Sequence, residues 1–228
     1  MIITVASFKG GVGKTTSAVH LAALLEEKAP TLLIDGDPNR SATGWARRGE
    51  LPFKVVDERQ AARYVGRYEH IVIDTQARPA REDLEALCDG CDLLVLPSTP
   101  DALALDALLM TVEALRSLDA HQFRVLLTMI PPKPSRDGEE AQRTLRDADL
   151  PVFETMVRRL VAFQKAALGG TLVAATGDPR AEVGWHNYQG VATEIFQSNG
   201  APSEAPISGT LPDTARAIAV AATTGGQG

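Results

Sequence analysis

Ten consecutive residues, Ser7-Phe8-Lys9-Gly10-Gly11-Val12-Gly13-Lys14-Thr15-Thr16, gather three glycines, two lysines and two threonines into one short stretch. Glycines at positions 10, 11 and 13 let the backbone curl until successive N–H groups face inward, and a helix starting near Lys14 adds the positive end of its dipole. Such a nest binds phosphate oxygens. In that setting Lys14 neutralises the β- and γ-phosphates, the Thr15 hydroxyl is placed to ligate a bridging Mg²⁺, and Val12 and Thr16 complete the cradle. The pattern G-x-x-x-x-G-K-[ST] is broken at its first position, where Phe8 stands, and Lys9 opens the loop as an additional cation. Two later apolar runs end in acid: Leu33-Ile34-Asp35-Gly36-Asp37-Pro38-Asn39-Arg40 and Ile73-Asp74-Thr75-Gln76. Asp74 is expected to hold Mg²⁺ through a water and Asp35 to face the same metal shell. Asp37 is expected to turn the other way, on a mobile loop. Asp35 and Asp37 before Pro38 also read as simple turn formers.

To converge, these groups need strands that end at one edge. Runs suited to parallel strands buried on both faces are Ile2 to Ala6, Leu32 to Ile34, Ile71 to Ile73, Leu93 to Leu96, Val125 to Ile130 and Val152 to Phe153. Helical spacing fills Thr15 to Lys28, Arg81 to Cys88 and Ala102 to Leu118. The alternation predicts an α/β fold, a doubly wound, mostly parallel sheet flanked by helices, which binds ligands at the carboxyl ends of its strands. Pro131-Pro132-Lys133-Pro134-Ser135 breaks the chain after a strand. Ser198 to Pro212 reads as a connector and Asp213 to Gly228 as a loosely held tail, giving one domain over residues 1–197 and a flexible segment over 198–228.

Composition narrows the classes. Of 228 residues 23% are charged, and 23 Lys+Arg against 29 Asp+Glu leave a net charge of -6, which describes neither a disordered nor a uniformly basic chain. No apolar run approaches a membrane span, and Met1 to Val5 lacks the features of a leader, so a cytoplasmic location is expected. Cys88 and Cys91 cannot frame a chain of this size with disulfides. The four histidines show no metal spacing, and no G-x-S-x-G elbow occurs. Against the acidic total, Thr155 to Ala181 carries Arg158, Arg159, Lys165 and Arg180 against Asp178 alone. On a helix Arg158 and Lys165 point in nearly one direction while Val157, Leu160, Val161 and Leu168 face inward. That face could track nucleic-acid phosphates or simply be solvated.

The loop resembles the deviant Walker A motif, K-G-G-x-G-K-[ST]-[ST], of the ParA/MinD family of P-loop ATPases. Asp35 to Trp45, Asp74 to Pro79 and Leu96 to Asp101 are similar to ParA-type partition ATPases, including the branch that positions carboxysomes, and the likeness runs from Met1 to about Phe196. Gln76 departs from the proline common there. The resemblance implies ATP with Mg²⁺ as cofactor, and Lys9 as the signature lysine that reaches the phosphates of a second subunit. It implies Asp37 as the residue that orients or activates the attacking water, and Met129 and Pro131 as contacts to the base. It further implies a homodimer closed by ATP, nonspecific DNA held by Arg158, Arg159 and Lys165 on the nucleoid, and release when a ParB-like or other adaptor stimulates hydrolysis. A MinD-like membrane role would need a basic amphipathic C-terminal helix, and Asp213 to Val220 offers one arginine and no aromatic residue, so no membrane partner is expected. Two other readings stay open: an Fe–S carrier of the Mrp type using Cys88 and Cys91, and an ATP-dependent amidoligase similar to dethiobiotin synthetase.

Overall fold

Short β-branched runs between glycine, proline and acidic residues become strands because both of their faces can be buried by crossover helices. The computed structural model, which describes residues 1–77 and 81–199, contains β1 (Ile2–Ser7), β2 (Thr31–Gly36), β3 (Lys54–Asp57), β4 (His70–Ala77), β5 (Leu93–Ser98) and β6 (Phe123–Leu127). They form one parallel sheet in the order β3-β2-β4-β1-β5-β6. The helices are α1 (Lys14–Glu26), α2 (Ser41–Arg48), α3 (Glu58–Ala61), α4 (Arg81–Asp89), α5 (Ala102–Ser117), α6 (Asp137–Asp147), α7 (Val161–Gly169) and α8 (Ala181–Asn199).

Alternate strand residues serve opposite faces. Ile3, Val5, Leu33, Val72, Val95 and Leu126 pack with residues of α1, α7 and α8, whereas Leu94, Leu96, Val125 and Leu127 meet Leu84, Leu108, Leu115 and Leu145 from α4, α5 and α6. Each fully buried side chain of this size contributes roughly 1.5–3 kcal/mol. α1 is apolar on nearly every side because it lies between the sheet and α8, where Ser17 Oγ meets the Tyr188 hydroxyl at 3.0 Å. On the second face, Ala61, Tyr64, Val65 and Tyr68 cover Leu32, Ile34, Ile71 and Ile73.

Register does the positioning. Asp35 pairs with Asp57 on one side and Asp74 on the other, so three aspartates stand in a row across β3, β2 and β4 at the carboxyl edge. Val5 pairs with Asp74, which sets that row beside the end of β1, where the glycine loop begins.

The sheet differs from the sequence expectation in several places. β3 was not foreseen: Lys54-Val55-Val56-Asp57 has only two apolar residues, although its apolar-then-Asp ending repeats that of β2 and β4. Val152 to Phe153 is no strand but an isolated bridge, Val125 to Val152. Pro151 has no N–H for a ladder, and the N–H groups of Glu154 and Thr155 each turn to the Glu194 carboxylate at 2.8 Å. The segment still runs along the outside of β6, with Phe153 N–H donating to Val125 O and Val157 N–H to Leu127 O, both at 2.9 Å. β6 stops at Leu127 rather than at residue 130, since Met129 takes the left-handed conformation with φ 51°. α8 continues through Asn199, past the expected boundary at 197. Of the connector and tail expected over residues 198–228, residues 200–228 lie outside the described residues, as do Arg78 and Pro79.

Candidate functional site

The loop lysines and the acidic groups Asp35, Asp37, Asp74 and Asp101 sit at or just beyond the ends of β1, β2, β4 and β5, the strands of the sheet's middle. After β1 the loop folds back so that Gly11 and Gly13 have φ of 78° and 87°, a conformation open to glycine without steric cost. Gly13 precedes α1, which has no side-chain cap and no acidic residue in its first turn, leaving the first N–H groups directed at the loop. Thr128, just past β6, donates its hydroxyl to Val12 O at 2.8 Å and so pins the loop to a strand end two places away in the sheet. Lys14 is buried at the start of α1. Beside it Thr15 Oγ1 donates to Asp74 Oδ2 at 2.7 Å.

The acidic groups have distinct surroundings. Burial pushes the Asp74 carboxyl up to about 7, against the stabilising hydrogen bond from Thr15. Its Oδ1 is buried with no hydrogen-bond partner. Asp35 accepts the N–H of Asp37 on Oδ1 at 3.2 Å and that of Thr43 on Oδ2 at 2.7 Å, so it fastens the loop between β2 and α2. Asp37 Oδ1 accepts from both the backbone N–H and the side-chain amide of Asn39, at 2.9 and 3.0 Å. The divergence expected of Asp35 and Asp37 is not found. Residues two apart on an extended chain share a face. Both are buried, and the charges of both act on Asp74.

Arg40, at φ 53° ahead of α2, ties this loop to the sheet edge. Its Nη1 donates to Asp35 O at 3.0 Å and pairs with Asp57 Oδ2 at 2.9 Å, while Nη2 lies 3.8 Å from Glu58 Oε1. Burial raises the Glu58 carboxyl above its ordinary value and the Arg40 charge opposes that shift.

Lys9 takes a different path from Lys14. Its Nζ meets Asp101 Oδ1 at 2.7 Å, on a half-exposed rim. Asp101 also accepts from Thr99 Oγ1 and caps α5 through the Ala104 N–H at 3.1 Å. The hydrogen bond from Lys9, ahead of that from Thr99, draws the Asp101 carboxyl down to about 2.

Between these parts lies a cleft of ≈ 700 Å³, lined by residues 9–13 and Thr16 on one side and by Met129, Pro131 and residues 157–160 on the other. Arg158 and Arg159 therefore stand at the mouth of the cleft and not on a helix. Residues 157–159 are extended, with Ile130 N–H donating to Val157 O and Arg159 N–H to Ile130 O, and α7 begins only at Val161. The expected inward stripe fails with it. Val157 and Leu160 are buried, but Val161 is 62% and Leu168 77% exposed. Lys165 is paired with Asp178 at 2.7 Å. Asp101, Arg40 and Asn39 were not singled out from the sequence. Only Asp101 carried a local signal, a capping residue directly before a helical apolar pattern.

Burial pushes the thiols of Cys88 and Cys91 up to about 11 and about 12, so both stay protonated. Among the described residues no group of three or more His, Cys, Asp or Glu is arranged to hold a metal. No described helix is long and apolar enough to cross a membrane.

A glycine nest closing onto an uncapped helix start, with a buried lysine and an acidic strand end beside it, defines a nucleotide-binding P-loop protein of the ParA/MinD kind. The chain belongs to the CbiA family, the CobQ/CobB/MinD/ParA nucleotide binding domain, which matches residues 3–173. It is 38% identical to the maintenance of carboxysome distribution protein A of Gloeobacter kilaueensis over 201 residues, 85% of this chain and 93% of that protein. Its fold is that of a plasmid partition protein of Borrelia burgdorferi B31 bound to AMPPNP, with TM-score 0.68, 21% identity and coverage of 87% of this chain and 98% of the other. It is also that of the septum site-determining protein MinD of Pyrococcus horikoshii in complex with Mg-ADP, with TM-score 0.64, 18% identity and coverage of 90% and 99%.

Proposed function

We propose that this protein is an ATPase switch that positions a carboxysome-like compartment or partitions DNA, assembling with ATP and releasing its hold on nonspecific DNA after hydrolysis. The reading is supported above all by the contrast between the two loop lysines: Lys14 is buried at the helix start, whereas Lys9 lies on the rim in an exchangeable pair with Asp101. Backbone N–H groups of residues 10–16 hold the phosphates of ATP, Lys14 neutralises them, and Met129 and Pro131 border the base. Thr15 and Asp74 would hold Mg²⁺, with Asp35 behind them, since Asp74 offers a buried oxygen that lacks a donor and Mg²⁺ needs few carboxylates when phosphates complete its shell. Bound there, the ion would supply positive charge to the phosphate oxygens. Asn39 aligns Asp37 so that its second oxygen can orient a water for attack on the terminal phosphate.

Lys9 then leaves Asp101 for the triphosphate of a second subunit, and a homodimer closes. Slow basal turnover follows, because a site completed in trans and tuned by an adaptor protein is poorly organised alone. Arg158 and Arg159, exposed and free of acidic partners among the described residues, serve DNA, while Lys165 contributes less because Asp178 already holds it. A cytoplasmic, nucleoid-associated location follows from that binding.

Light scattering tests the switch directly. With magnesium and a nonhydrolysable ATP analogue the protein should double in mass, Lys9→Ala should bind the analogue as a monomer, and Asp37→Ala should dimerise with ATP itself and persist. A wild-type monomer under saturating analogue would overturn the reading.

A further inference from the structure

The DNA reading leaves open which surface carries the phosphates, and a second basic surface lies on the other side of the sheet from α7. Between β3 and β4 the chain runs as α3 and a 3₁₀ turn, Val65–Arg67, along the outer face of the sheet. Ala61, Tyr64, Val65 and Tyr68 turn inward onto Leu32, Ile34 and Ile73. What remains outward is Arg59, Arg63 and Arg67, with Lys54 alongside, its Nζ 5.8 Å from the centre of the Tyr64 ring. Four cations thus share residues 54–69 with three carboxylates, Asp57, Glu58 and Glu69, and the first two of these are held by Arg40. Among the described residues neither the Arg63 nor the Arg67 guanidinium has an acidic partner. On a chain of net charge -6 this is a concentrated positive face.

We infer that the β3–β4 crossover, through Arg59, Arg63, Arg67 and Lys54, is a docking surface for the phosphate backbone of duplex DNA. The inference rests on the proposed DNA binding and assigns it a second surface. Chemistry selects the partner. The exposed positions from Lys54 to Glu69 are Lys54, Arg59, Gln60, Ala62, Arg63, Gly66, Arg67 and Glu69, which include no aromatic ring to stack on unpaired bases and no large apolar side chain to enter a bilayer. Both tyrosines are turned inward. A row of charge with no base-reading or lipid-inserting element fits the regular backbone of a duplex, with salt dependence and without sequence choice.

The test is a salt series of binding to a random-sequence duplex, with ATP analogue and magnesium, for the wild type, Arg63→Ala/Arg67→Ala, Arg63→Lys/Arg67→Lys and Arg158→Ala/Arg159→Ala. Each lost phosphate contact lowers the log–log salt slope by about 0.9, so the first double variant should lose about 1.8 of slope and bind roughly 30-fold more weakly near 0.15 M salt. The lysine variant should recover the slope, since the charge is kept, and ATP-dependent dimerisation should be unchanged in both. Wild-type slope in the alanine variant, with DNA bound normally, overturns this surface while leaving the DNA reading intact. A wild type that ignores DNA at every salt overturns both. Tighter binding to vesicles of anionic phospholipid than to the duplex, lost in the alanine variant, also overturns the assignment.

Discussion

Lys9 and His20 show how differently two basic groups near one loop can be held. Lys9 is clasped at a solvent-facing rim, where an ion pair contributes at most about 1 kcal/mol, so it can change partner cheaply. Asp101→Asn keeps a good helix cap while removing the charge that holds Lys9. The variant should melt within about 1 kcal/mol of the wild type and reach half-maximal dimerisation at up to roughly fivefold lower ATP concentration. An unchanged or raised concentration in a titration followed by light scattering would show that the clasp does not restrain Lys9. His20 is buried, stacked on Tyr188 at 4.9 Å and edge-on to Phe163 at 5.3 Å. Its Nδ1 faces Thr16 O at 2.7 Å and its Nε2 faces the Val173 N–H at 3.1 Å, so the ring must donate at one nitrogen and accept at the other. Protonation would set a second donor against that N–H, and burial holds the pKa down to about 4. Below pH 6.5 the unfolded chain takes a proton at this site that the folded chain refuses, so the contribution is complete above pH 6.5 and lost towards 4. Asp74, raised in the folded state, titrates with the opposite sign over part of this range and must be separated. The stability gap between wild type and His20→Gln, measured in urea, should therefore shrink by about 2 kcal/mol between pH 7 and 5.

At the scale of elements, α2, which follows the acidic loop, is joined to the C-terminal end of α7 by side-chain donors meeting backbone carbonyls and by one backbone-to-backbone contact. Trp45 Nε1 donates to Thr171 O at 3.0 Å and Arg48 Nε to Ala167 O at 2.7 Å, and between these bonds Gly49 touches Gly170. A Cβ on Gly170 would lie 2.2 Å from Gly49 N and 2.5 Å from Arg48 C, at a φ of 66°. Gly177 has nearly the same φ, 65°, but open space around it. Gly170→Ala should thus cost about 2–4 kcal/mol, against about 1 kcal/mol for Gly177→Ala, and equal denaturant midpoints would mean that strain at φ, not contact, decides. These contacts also mark the limit of what could be read from the residues alone. The glycine loop, Asp35 and Asp74 were legible because local spacing, apolar run then acid or glycine, carries the signal. Asp101 near Lys9, and Asp57 beside Asp35, were not, because parallel pairing joins residues that are distant in sequence. Arg158 misled for the same reason: its backbone pairs with Ile130, a contact no helical periodicity could reveal.

For the molecule as a whole, every group proposed to meet the nucleotide stands at the carboxyl edge of the sheet, while the basic crossover spans from the end of β3 to the start of β4 along its outer face. Fold class was legible because alternation of buried strands and helices leaves few alternatives. Edges were less so, since β3 owes its place to pairing with β2 rather than to its own four residues.

Those edges bear on how the protein can assemble. β3 is short and opens with an exposed lysine, and β6 is overlaid by residues 151–157, with Arg124 clamped between Glu194 and the Phe153 ring. Neither flank presents a long bare ribbon of amides to a neighbour. Any array formed on the proposed DNA partner should accordingly arise without pairing of strand edges and give no cross-β signal with amyloid dyes.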